Sequence, residues 1–90
     1  MDIYDELVNK IVATQQDVIG PVAVLMAKKV KGLDFSNKLI HVTAEPKVVL
    51  SDLVLEYSKI FGDASIEMCK ESIRNIDLNL QKPDLPDILK

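Results

Sequence analysis

The chain has 90 residues, with a hydrophobic share of 48% and a charged share of 28%. Those proportions fit one globular domain and exclude disorder. A formal net charge of −3 argues against a nucleic-acid ligand, whose phosphates call for a basic surplus. Cys69 is the only cysteine, so no internal disulfide can form. The longest apolar run, Val18 to Ala27, is broken by Gly20-Pro21 and spans about half of what a membrane helix needs. The acidic start Met1-Asp2-Ile3-Tyr4-Asp5-Glu6 is unlike a leader peptide, so the expectation is a soluble, cytoplasmic protein with no membrane insertion.

From Ile3, apolar residues fall at 3, 4, 7, 8, 11 and 12, the spacing of an amphipathic helix reaching Asp17 or Ile19. Gly20 ends it, and Pro21 suits the first turn of a second helix. That helix carries Val22, Ala23, Met26 and Val30 on one face, with Leu25 beside them. Lys28, Lys29 and Lys31 read as its solvated C-terminal end, with Gly32 as C-cap. Leu33 to Glu45 is irregular. Leu39-Ile40-His41-Val42-Thr43 has strand-like composition, but no segment offers a pairing partner, so it reads as an extended connection.

Pro46 opens a third helix, with Thr43 or Glu45 near its cap and a broad apolar face of Val49, Leu50, Leu53, Val54, Tyr57, Ile60 and Phe61. Gly62 breaks that helix, and Asp63 reads as the N-cap of a fourth, with Glu67 in its first turns. Ile66, Cys69, Ile73 and Ile76 point it towards the core. The segment from Gln81, with Pro83 and Pro86, leaves the helical body as a tail.

Sliding the chain on itself by 42 residues superposes Leu7-Val8 on Val49-Leu50, Ile11-Val12 on Leu53-Val54 and Val18-Ile19-Gly20 on Ile60-Phe61-Gly62. Pro21 falls on Asp63, and Met26-Ala27-Lys28 on Met68-Cys69-Lys70. The expected fold is all-α: a four-helix domain over 1–80 built from two helix–Gly-break–helix repeats, about 3–32 and about 46–78, followed by a tail over 81–90. In each repeat the glycine supplies the positive φ that closes the first helix.

Little in the sequence points to chemistry. Cys69 lies on an apolar face, matches Ala27 of the other half in the repeat, and reads as core rather than nucleophile. His41 reads as a solvent-exposed loop residue, and one His with one Cys makes no zinc site without carboxylates or a second chain. Asp2, Asp5 and Glu6 suit a helix N-terminus, while Glu67 and Glu71 are balanced by Lys70 and Arg74. No phosphate loop, dinucleotide fingerprint or EF-hand is present. No catalytic, metal or cofactor-binding residue and no cofactor is therefore expected.

Asp17-Val18-Ile19-Gly20-Pro21-Val22-Ala23-Val24-Leu25-Met26-Ala27-Lys28-Lys29 resembles small helical modules with an Ile-Gly-Pro-hydrophobic-Ala motif that are appended to prokaryotic signalling proteins. The resemblance covers about thirty residues. It implies a regulatory or protein-contact role and transfers no catalytic residue. The second half departs from the motif at Asp63 and Ser65.

The apolar positions outnumber what a small core needs, most visibly on the third helix. The expected function is a non-enzymatic interaction or regulatory module that self-associates, a homodimer being favoured, or that binds another protein. Val48, Leu55, Leu85, Ile88 and Leu89 are its candidate interface. The alternative is a carrier or sensor of a small apolar ligand, in a pocket between the repeats lined by Met26, Tyr57, Phe61, Met68 and Cys69.

Overall fold

The computed structural model describes residues 2–74 and 85–90. Ile76, Pro83, the expected end of the second repeat at 78 and the start of the tail at 81 lie outside the described residues. Among those described, the fold is all-α apart from one small ribbon. Helix α1 is Ile3–Ile19, α2 Val22–Ala27, α3 Pro46–Phe61 and α4 Asp63–Arg74, with strands β1 (Leu33–Asp34) and β2 (His41–Val42) between α2 and α3. A 3₁₀ turn, Asp87–Leu89, closes the chain.

The starts of α1 and α3 have local causes. Asp2 accepts from Tyr4 N–H at 2.8 Å, and Glu45 accepts from Lys47 N–H at 3.0 Å with Pro46 at the first helical position. Each cap satisfies an amide that has no partner within its helix.

Helices α1 and α2 pack together, as do α3 and α4. The pairs interlock because α1 also lies against α4, and α2 against α3. Positions 42 residues apart share their burial: Leu7 with Val49, Val8 with Leu50, Ile11 with Leu53, Val12 with Val54, Gln15 with Tyr57, Ala23 with Ser65, Ala27 with Cys69 and Val30 with Ser72. Among the described residues, two polar contacts tie the pairs across the core. Tyr57 Oη donates to the Ala23 carbonyl at 2.8 Å, and Gln15 Nε2 donates to Cys69 Sγ at 3.5 Å.

Both glycine breaks have the same wiring. Gly20 N–H donates to Gln16 O at 2.8 Å and Gly62 N–H to Ser58 O at 2.7 Å, while the two glycine carbonyls accept from Ala23 and Ser65. Their dihedrals, φ 76° with ψ −160° and φ 58° with ψ −128°, lie in a mirror-extended region close to one that is essentially glycine-only. Beyond the adjoining backbone, no heavy atom stands within 4 Å of where a Cβ would sit at either glycine. The backbone conformation alone therefore selects glycine.

Three local expectations are corrected. Helix α2 stops at Ala27 rather than near Gly32, because Lys29 and Val30 N–H turn to the carbonyls of Met26 and Ala27, three residues back. The tightened turn drives Val30 into the core. Asp63 is the first residue of α4 rather than its cap. The 33–45 connection is not wholly irregular: β1 and β2 pair antiparallel, Leu33 opposite Val42 and Asp34 opposite His41.

At the other end, Leu89 is buried, Leu85 and Ile88 pack partly buried against the core, and the 3₁₀ turn lies on α3 and α4. The described part of the tail docks on its own domain.

Two variants read by urea unfolding test this packing with opposite signs. Gly62→Val should lower stability by roughly 1–3 kcal/mol through backbone strain alone. Ser65 Oγ is buried without a hydrogen-bond partner among the described residues, so Ser65→Ala should raise stability by roughly 1 kcal/mol or more. A neutral Gly62→Val or a destabilised Ser65→Ala contradicts the arrangement.

Candidate functional site

Among the described residues, the most highly wired polar cluster forms where the first turns of α1 meet β2. Asp5 and Asn9, one helical turn apart, face the same way. Asn9 grips Ile40 on both backbone groups: its Oδ1 accepts from Ile40 N–H at 3.0 Å and its Nδ2 donates to Ile40 O at 2.8 Å. That amide also donates to the Asp5 carbonyl at 2.7 Å. Asp5 Oδ1 accepts from Val42 N–H at 2.7 Å, and Asp5 Oδ2 accepts from His41 Nδ1 at 2.9 Å. Two side chains of one helix thus hold three consecutive residues of an extended segment.

The Asp5 side chain is 11% exposed and that of His41 39%. Burial pushes the Asp5 carboxyl up, but the Val42 amide and the hydrogen bond and electrostatic pull of His41 together hold it below the usual carboxylate range. Across the ribbon, the Ser36 amide and hydroxyl lower Asp34, with a smaller contribution from His41. His41 therefore lies between two carboxylates, Asp5 bonded to it and Asp34 opposite it in the strand register. The expectation of a solvent-exposed loop histidine is corrected: its Nδ1 is committed to Asp5. The grouping orients an imidazole and fixes a strand. Among the described residues no set of three His, Cys, Asp or Glu side chains could hold a metal ion.

A second feature lies on the outer side of α3. Val48 and Leu55 are 56% and 48% exposed. Leu55 lines a surface cleft of about 370 Å³ together with Lys29 and Lys31, from beyond α2, and Asp52, Glu56 and Lys59 of α3.

The other expected site residues separate. Tyr57 and Cys69 are fully buried in the core and Met26 nearly so, whereas Phe61 is 52% exposed. Met68 lines a different surface cleft with Lys10, Thr14, Val18, Glu71 and Ser72. The five do not line a common cavity, because Tyr57 and Cys69 are in direct contact with the cross-core partners Ala23 and Gln15. Burial pushes the Cys69 thiol up to about 11 against the opposing effect of the Gln15 amide, so the thiol is protonated at neutral pH. Burial, with Cys69 nearby, also raises the Tyr57 hydroxyl. Of the expected interface residues, Val48 and Leu55 face solvent, while Leu89 is enclosed by its own domain and Leu85 and Ile88 pack against it. Gly20, Pro21, Gly62 and Asp63 form the two helix breaks and line none of these features.

Asp5, Asn9 and Ile40 were missed as a set. The one available signal was the strand-like 39–43 run, whose backbone needed partners. No known protein family, characterised protein or solved structure matches the chain. No helix among the described residues is long and apolar enough to cross a membrane.

Because Asp5 has a lowered pKa in the folded state, its contribution to stability is present above the unfolded carboxylate pKa. It is lost as pH falls through the lower folded value. Urea titrations at neutral pH and stepwise below about pH 4 should show a steeper acid loss in the wild type than in Asp5→Asn. The variant should also be less stable at neutral pH, by roughly 1–3 kcal/mol. Parallel acid profiles would contradict a paired, buried Asp5.

Proposed function

We propose that this protein is a non-enzymatic regulatory module that self-associates as a homodimer through the outer face of α3. The observation that carries the reading is the exposed pair Val48 and Leu55, two helical turns apart on one face. Around Leu55 lie three lysines and two carboxylates. An apolar centre ringed by both signs of charge suits an isologous contact, in which each copy presents its cations to the other's anions.

The resemblance of the first helix break to signalling-associated helical modules points the same way, as does a lone cysteine held buried and protonated. A reduced thiol also fits a cytoplasmic setting. The two interlocked helix pairs, with matched burial and matched glycine turns, support an origin as a repeated helix–Gly–helix unit. That unit leaves its outer face available for contact.

Sedimentation equilibrium from low to high micromolar concentration tests the proposal. The wild type should approach twice the monomer mass. Leu55→Asp should stay monomeric with an unchanged melting temperature, because Leu55 is exposed. A wild type that remains a strict monomer throughout, or a Leu55→Asp variant that dimerises as well as the wild type, overturns it.

A further inference from the structure

The Asn9 grip on Ile40 has a consequence on its other side. The segment between β1 and β2 is tied to α1 at its end by the Asn9–Ile40 bonds. A cleft of about 350 Å³ opens between that segment, α1 and α2. That volume lies within the range of sites for small organic molecules. Val12 and Ile40, both buried, and the partly buried Val24 give the cleft an apolar lining. Phe35 supplies an aromatic ring, and the exposed Lys28 and Lys38 stand among the lining residues.

The charge of this lining is opposite to that of the chain. Its described members include two lysines, the carboxamides of Asn9, Gln16 and Asn37, and no carboxylate, in a protein of net charge −3. Three lysines elsewhere pair with carboxylates, Lys59 with Glu56, Lys70 with Glu67 and Lys90 with Asp87. Lys28 and Lys38 form no ion pair among the described residues. Lys28 Nζ instead stands 6.0 Å from the centroid of the Phe35 ring, the outer limit of a cation–π contact. A cation beside an aromatic face, above apolar side chains, offers complementary partners to the two ends of one kind of ligand.

We propose that this cleft binds a small aromatic carboxylate, its carboxylate answered by Lys28 and Lys38 and its ring by Phe35 and the apolar lining. A cationic ligand meets two lysines there and no acid. A purely apolar ligand leaves the lysines and carboxamides without a role. The site shares no residue with the α3 surface and does not depend on self-association.

Nuclear magnetic resonance titration of the full chain, with 1-naphthoate as the probe and 1-naphthylmethylammonium as its cationic counterpart, tests the proposal. Naphthoate should shift the amides of Val24, Phe35, Asn37 and Lys38 saturably, and the ammonium probe should bind at least roughly tenfold more weakly. The double variant Lys28→Glu/Lys38→Glu changes exposed side chains only. It should keep the wild-type melting temperature and lose naphthoate affinity at least roughly tenfold. Equal affinity for both probes, undiminished binding by the double variant, or no saturation by about 10 mM naphthoate overturns it.

Discussion

A carboxylate removed from water costs several kcal/mol unless it is paired and hydrogen-bonded, and Asp5 meets that demand with the backbone of a distant segment. Its two oxygens take the Val42 amide and the His41 imidazole. The dependence runs both ways. A two-residue strand facing one two-residue partner leaves most of its backbone groups unsatisfied, and Asn9 and Asp5 supply the missing partners at Ile40 and Val42. The position of the 33–42 ribbon, and hence the cleft between it and the first two helices, follows from two side chains of α1.

The rest of the fold obeys a simpler rule. Each helix–glycine–helix pair has an apolar face too wide to leave in water, and the two pairs bury those faces on one another. Hydrophobic burial is non-directional, so it does not by itself choose a register. The Tyr57 hydroxyl on the Ala23 carbonyl and the Gln15 amide on Cys69 Sγ are directional contacts across that boundary. Each reaches from the first helix of one pair to the second helix of the other. A sliding of the pairs would leave buried polar atoms unpartnered, at a cost comparable to losing a packed methyl group.

Periodicity made the helical architecture legible. Leu7, Val8, Ile11 and Val12, repeated as Val49, Leu50, Leu53 and Val54, carried enough of the 3.6-residue signal to place α1 and α3. The two glycines marked the breaks. The end of α2 was not legible, because a shift from i−4 to i−3 hydrogen bonding at Lys29 and Val30 changes no residue type. The polar cluster was hidden for a different reason. Asp5 looked like an ordinary acidic residue in the first turn of a helix, which is favoured there whether or not it contacts anything else. His41 had no visible neighbour, since its partner lies 36 residues earlier. Long-range pairing of a side chain with a backbone amide leaves no periodic trace. The outer face of α3 was partly legible, since Val48 and Leu55 exceeded what one stripe could bury.

Hydrogen–deuterium exchange at two amides tests most directly whether α1 organises the ribbon. Ile40 and Val42 N–H should exchange far more slowly in the wild type than the neighbouring exposed amides. Asn9→Ala should accelerate Ile40 while the interior of α1 keeps its protection. Ile40 and Val42 exchanging as fast as a solvated loop in the wild type, with α1 and α3 protected, would contradict it.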